Sequence, residues 1–160
     1  MIHTLEKEID SLDAQIRKLI DSDDQFKDLD RLLRTVPGVG PVASATTIAH
    51  VPELGRADRR TAPALVGVVP CNHDSGRLAG RRSIAGGRAE PRCVLYMATI
   101  SAMRCNPVIK AFADRLRAKG KRAKVVIVAC IRKLVTILNA MLRDRLEWSQ
   151  LDLVKSLDNA

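Results

Sequence analysis

The chain has 160 residues, 46% of them hydrophobic and 2% aromatic, with 27 Lys and Arg against 18 Asp and Glu. A formal charge of +9 and a pI of about 9.9 favour a polyanionic partner, and the length fits one domain with an appended helical element. No apolar run approaches the roughly 18 residues of a membrane span and no signal peptide opens the chain, so a soluble, cytoplasmic protein is expected.

The first element is a helix. Ile2, Leu5, Ile9, Leu12, Ile16 and Leu19 recur at alternating steps of three and four, an a/d seam with Ile at a and Leu at d that favours paired strands. It covers under three heptads, so a pairing helix and an amphipathic helix lying on its own domain are both open readings. Residues 1 to 30 hold nine acids against four bases, which makes this end of a basic chain acidic. A break at Asp21-Ser22-Asp23-Asp24 separates it from the next helix, whose apolar positions are Leu29, Leu32, Leu33 and Val36.

That helix runs into Pro37-Gly38-Val39-Gly40-Pro41, and the helix-compatible stretch VASATTIAHV follows at once. Two glycines allow a sharp turn with φ > 0, and Pro41 suits the first turn of a helix because its missing N–H would have no partner there. The product is a helix-hairpin-helix. Its exposed N–H groups suit a phosphate, with an ordinary tight turn as the plainer reading. After Pro52-Glu53-Leu54-Gly55 comes a short apolar segment, Ala64 to Val69, with Pro63 near its start. Residues 70 to 90 are rich in Gly, Arg and Ser and lack periodicity, which predicts a long loop of the kind that carries function.

Helices are expected from about Arg88 or Pro91 to Arg104, from Pro107 to Lys119 with Gly120 just beyond the end, and from about Lys121 to Arg143. On the last, Val125, Val128, Ile131 or Cys130, Leu134 and Leu138 are expected to face inward. From Arg104 to Lys133 stand ten bases and one acid, Asp114. The tail is weakly amphipathic through Trp148, Leu151 and Val154, and no segment has a convincing strand pattern. The fold class is therefore all-α: a coiled-coil-like helix at 1–23, a helix-hairpin-helix domain at 24–145 and a tail at 146–160. Cys71, Cys93, Cys105 and Cys130 form no C-x-x-C pair and no ligand spacing with the three histidines, so they are expected as buried reduced thiols, without a metal or a disulfide.

The loop holds the candidate chemistry. His73-Asp74-Ser75-Gly76 puts His, Asp and Ser side by side, but consecutive side chains diverge and do not make a triad. The segment does offer a hydroxyl in a Gly-flanked position with five arginines, Arg77, Arg81, Arg82, Arg88 and Arg92, in the next seventeen residues. Arginine grips phosphate oxygens with two parallel hydrogen bonds, and a serine among arginines is what attack on a phosphodiester needs. A loop that merely holds a backbone phosphate fits the same residues.

A longer series of motifs then stands in order. Val36-Pro37-Gly38-Val39-Gly40, Leu65-Val66-Gly67-Val68-Val69-Pro70, Asp74-Ser75-Gly76, Gly80-Arg81-Arg82 and Gly86-Gly87-Arg88 lead into Leu95-Tyr96-Met97-Ala98, Arg104-Cys105-Asn106-Pro107, Gly120-Lys121 and Arg132-Lys133-Leu134. Over about residues 24 to 145 the chain closely resembles the carboxy-terminal domain of the DEDD transposases of bacterial insertion sequences. That group includes the Piv-type DNA invertases and the bridge-RNA-guided recombinases. The resemblance implies that Ser75 attacks DNA and forms a phosphoserine link, with Ser83 its nearest rival. From the hairpin N–H groups and the basic stretches, DNA contacts are expected through Gly38, Val39, Gly40, Arg77, Arg81, Arg82, Arg88, Arg92, Lys121, Lys124, Arg132 and Lys133. The resemblance also allows a guide RNA, and it makes residues 1–20 resemble the helices that join such proteins' two halves, a place to meet a second copy or a full-length transposase.

The family's amino-terminal, magnesium-binding half has no counterpart here, so no cofactor is expected in this chain. Pro63 and Pro91 stand where the family has helix-compatible residues, and an interior proline costs roughly 3 kcal/mol. Together these features suggest a truncated transposase gene. Three functions are consistent with the residues: the serine-bearing half of a recombinase in the bacterial cytoplasm at the nucleoid, an inert DNA-binding remnant, or an interaction partner of an intact transposase.

Overall fold

The computed structural model describes residues 2–71 and 83–150. Helix α1 spans Ile2–Asp21, α2 Asp24–Arg34, α3 Pro41–His50 and the short α4 Thr61–Leu65. Two-residue strands follow, β1 at Pro70–Cys71 and β2 at Ser83–Ile84, then α5 at Ala89–Cys105, α6 at Pro107–Ala118, α7 at Ala123–Asp144 and a 3-10 turn at Trp148–Gln150. The class is all-α, as the periodicity requires. The strands are a correction to the expected structureless loop: β1 and β2 pair antiparallel, Pro70 with Ile84 and Cys71 with Ser83.

Local signals set the helix ends. Asp23 lies in extended backbone and its carboxylate accepts the N–H groups of Gln25 and Phe26, capping α2. Asn106 caps α6 in the same way, and Gly120 just past its end has φ +68. Pro63 and Pro91 are the third residues of α4 and α5. In a first turn the N–H has no helical partner, so neither proline breaks its helix, and both rings are buried.

The core forms around α7, which packs against α2, α4, α5 and α6. Val126, Cys130, Ile131, Leu134, Val135, Ile137, Leu138 and Met141 are at most 2% exposed. Each large aliphatic side chain buried in this way contributes about 1.5–3 kcal/mol of transfer free energy. The inward face begins one residue later than expected: Val125 is 53% exposed and Val126 takes the core position. Val128 is only partly buried against the core. This helix is long and apolar enough to cross a membrane, contrary to the sequence reading, but its apolar side is the centre of the core. Cys130 is buried as expected, and burial pushes its thiol up to about 11. Cys93 and Cys105 are exposed, a correction to the expected burial of all four thiols.

Asn139 is the buried polar residue of α7, at 3% exposure. Its Oδ1 accepts the Gly55 N–H at 2.8 Å and its Nδ2 donates to the Ala57 carbonyl at 2.8 Å, tying the 51–60 connection to α7. At the other end, the Trp148 N–H donates to Thr35 Oγ1 at 3.1 Å, and Arg31 pairs with Glu147. Residues 145–148 are thus held against α2.

Helix α1 has no buried residue and touches the body through α2. Its seam residues are between 43% (Ile16) and 76% (Ile2) exposed. The reading in which this seam lies on its own domain is therefore not what the fold shows.

Candidate functional site: the hairpin, the loop stem and a basic edge

The α2–α3 hairpin is built from inside. Val36 and Val39 are 1% and 6% exposed and anchor the turn in the core. Gly38 has φ +100, and a Cβ there would stand 2.6 Å from the backbone of Ala102, so only glycine lets the turn rest on α5. Asn106 fastens the same point, donating from Nδ2 to the Pro37 carbonyl at 3.4 Å while its Oδ1 accepts the N–H groups of Val108 and Ile109. The second glycine differs from expectation. Gly40 has φ −92 and open space where a Cβ would go, and it serves as the N-cap of α3 ahead of Pro41. The Val39 N–H is already donated to the Val36 carbonyl at 3.0 Å. The outward part of the hairpin is therefore Gly40-Pro41-Val42, at a helix start that no side chain caps and that has no acidic residue in its first turn. Gly38 and Val39 serve the joint with α5 and α6.

Below it, the segment that contains Ser75 starts and ends at one place. β1 and β2 bring Cys71 and Ser83 side by side, and the Arg88 N–H donates to the Leu65 carbonyl at 2.8 Å. Gly67 and Gly87, both with φ near +70, lie backbone against backbone, leaving no room for a Cβ on either. Two arginines close this stem. Arg88 grips the Glu53 carboxylate with both terminal nitrogens at 2.7 and 2.6 Å, and also donates to the His50 carbonyl at 2.9 Å. That grip holds the Glu53 carboxyl down at about 2. Arg92 donates to the Gly86 carbonyl at 2.7 Å and reaches the Gly67 carbonyl at 3.5 Å.

Arg88 and Arg92, expected on DNA, are thus committed to the stem. Ser75, Arg77, Arg81 and Arg82 lie outside the described residues, and Ser83 is in β2.

The third region is the edge formed by α6, the 119–122 connection and α7. Lys121, Lys124 and Arg132 are exposed there, as are Arg115, Arg117, Lys119 and Arg122, which the motif reading passed over although the charge count covered them. The Lys133 ammonium and the Arg115 guanidinium stand 4.8 and 5.3 Å from the centre of the Phe112 ring. Asp114, the one acid of this stretch, is 2.9 Å from Arg117. Elsewhere several arginines are matched, Arg34 with Asp30, Arg88 with Glu53, Arg143 with Asp144, and Arg31 and Arg145 with Asp28, while Arg56, Arg59, Arg60 and Arg104 are exposed and form no ion pair among the described residues. With ten bases and one acid between Arg104 and Lys133, the α6–α7 edge is a strongly positive part of the described surface. Among the described residues no group of three or more His, Cys, Asp or Glu could hold a metal ion.

Sequence relationships span all three regions. The model of the IS116/IS110/IS902 transposase family matches residues 30–114, from α2 through the hairpin, the stem and α5 into α6. The pilin gene-inverting protein of Moraxella bovis is 31% identical over 139 residues, covering 84% of this chain and 43% of that protein. The insertion element IS900 uncharacterized 42 kDa protein of Mycobacterium paratuberculosis is 29% identical over 157 residues, 90% of this chain and 38% of that protein. The IS110 uncharacterized 43.6 kDa protein of Streptomyces coelicolor is 27% identical over 137 residues, 84% of this chain and 33% of that protein. The chain thus spans less than half the length of these relatives. With more than half of its residues in one uninterrupted family match, and with hairpin, stem and α5 all inside it, the chain belongs to the IS116/IS110/IS902 transposase family.

Proposed function

We propose that this chain is the DNA-binding, serine-bearing part of an insertion-sequence transposase, acting in bacterial cytoplasm on DNA in concert with an acidic nuclease part. The observation that carries the reading is the family match across a stem whose glycines and paired arginines hold both ends of the serine-containing segment together. In this reading Ser75 Oγ attacks a DNA phosphorus. A P–O bond to serine forms, the P–O bond to one deoxyribose oxygen breaks, and that DNA end leaves as a hydroxyl.

A serine hydroxyl needs a base to take its proton, and permanently protonated arginines such as Arg77, Arg81 and Arg82 cannot be that base. They suit the other task, stabilising negative charge on the phosphoryl oxygens. The chain alone, with magnesium in the buffer, is therefore expected to form no covalent protein–DNA adduct on a denaturing gel. Supplying an amino-terminal nuclease part from a full-length relative, joined or separate, is expected to restore the adduct. Ser75→Ala then abolishes it and Ser83→Ala keeps it. An adduct that survives Ser75→Ala overturns the assignment, and one formed by the chain alone overturns the dependence.

A second reading, an inert DNA-binding remnant or a partner of an intact transposase, is favoured by the ten bases against one acid along the α6–α7 edge and by the exposed α1 seam. In both readings DNA is held through phosphates by Lys121, Lys124, Arg132 and Lys133 and by the outward hairpin, with little sequence preference, and α1 is the assembly surface. Six or more neutralised phosphates give a log–log slope of affinity against salt of about −5 or steeper. A flat salt response rules out phosphate binding. A guide RNA carries the same phosphates and would bind by the same edge.

A further inference from the structure

The exposed seam of α1 carries information about its partner in the residues that flank it. With Ile2, Ile9 and Ile16 at a and Leu5, Leu12 and Leu19 at d, the flanking e positions are Glu6, Asp13 and Ile20 and the g positions are Glu8, Gln15 and Ser22. Lys7, Arg17 and Lys18 fall at f, b and c, away from the seam. Every charge at the e and g positions is therefore negative, and the b-position His3 lies 3.3 Å from Glu6.

Two copies of α1 cannot pair without setting acid against acid. In a parallel pair each g residue faces e of the next heptad on the partner helix, which opposes Glu8 and Asp13 twice. In an antiparallel pair with Ile2 level with Leu19, e faces e, which opposes Glu6 and Asp13 twice. Neither arrangement brings a base to a flank. A seam of under three heptads is marginal, so flank charges decide its choice of partner.

We infer that α1 pairs with a helix of another kind, apolar at a and d and carrying Lys or Arg at e and g, and not with a second copy of itself. This inference rests on the reading of α1 as the assembly surface and names its partner by chemistry. Ile20 at e and Ile16 at a line one groove with Pro41 and Val42 of α3, whose charged walls are Asp13, Arg17, Asp21, Asp30 and Arg34, so the occupant lies beside the outward face of the hairpin.

The test uses the full chain and two synthetic peptides of residues 1–21, one unmodified and one carrying Glu6→Lys, Glu8→Lys and Asp13→Lys. The lysine peptide turns the opposed acids into acid–base pairs in either orientation. It is expected to bind at least tenfold more tightly than the unmodified peptide, with the advantage shrinking in high salt, while the chain sediments as a monomer. A Leu5→Asp, Leu12→Asp chain, altered only at exposed positions, is expected to bind neither. Equal binding of the two peptides, or a stable dimer of the chain at neutral pH, overturns the charge selection and leaves α1 as an assembly surface. Binding of neither peptide by the unaltered chain overturns both. Binding of the lysine peptide by the Leu5→Asp, Leu12→Asp chain shows attraction without a seam and overturns the inference.

Discussion

In urea, the Gly38→Ala chain is expected to lose roughly 2–6 kcal/mol of stability, a large share of the 5–15 kcal/mol typical of a domain. Two effects add. Alanine at φ +100 is strained, and its Cβ would stand 2.6 Å from Ala102 N and Cα, backbone atoms that cannot turn aside. The hairpin must then lift off α5, which also separates Pro37 from Asn106. Gly40→Ala is the control. It sits at φ −92 in open space, so it gives up only glycine's advantage as an N-cap, about 1 kcal/mol or less. Equal midpoints for the two variants would show that the turn is not seated on α5. A Gly40→Ala chain that keeps its fold but binds DNA more weakly would place the phosphate contact at the outward hairpin.

The second large effect is expected at the stem. Gly86 and Gly87 have nearly the same backbone conformation, φ +71 and φ +69, but different surroundings. A Cβ on Gly86 meets nothing within 4 Å, while one on Gly87 would overlap the backbone of Gly67 and one on Gly67 would overlap the Gly86 carbonyl. Gly86→Ala therefore carries only the left-handed penalty of about 1–2 kcal/mol. Gly87→Ala and Gly67→Ala add the forced separation of two backbones, about 1–3 kcal/mol more, and with it the loss of the hydrogen bonds from Arg88 N and Arg92 that need that approach. The expected order of unfolding midpoints is wild type, then Gly86→Ala, then the other two well below. In the complemented adduct assay Gly87→Ala is expected to behave as Ser75→Ala does while Gly86→Ala stays active. A Gly87→Ala chain no less stable than Gly86→Ala would refute the close approach.

Much of the fold follows from neighbours in the chain. The steps of three and four in Ile2–Leu19, the Asp23 and Asn106 caps, Pro41 and Pro107 at helix starts and Gly120 at a helix end are all local choices, and each recurs where the periodicity puts it. The family, too, is legible in the order of short motifs. What these signals leave open is which face a helix turns inward when two apolar residues adjoin, as at Val125 and Val126, because the packing of α7 against four other helices decides it.

The site shows the same division more sharply. A count of bases along the chain determined that the molecule is electropositive, and the glycines determined where its backbone turns. Whether a given arginine is available to a phosphate depends on which acceptors the fold brings to it. Glu53 claims Arg88 across 35 residues and the Gly86 carbonyl claims Arg92, whereas Lys121 and Lys124 meet no such acid among the described residues. The two glycines of the hairpin look alike in sequence, yet Ala102 and Asn106, more than 60 residues later, make Gly38 a packing requirement and leave Gly40 facing outward. Conformational preference is a property of a residue and its neighbours, so the sequence by itself determined helices, turns, seam and net charge. Charge pairing and close approach are properties of distant segments brought together, so only the tertiary structure decided which basic groups and which stretch of backbone are left for a partner.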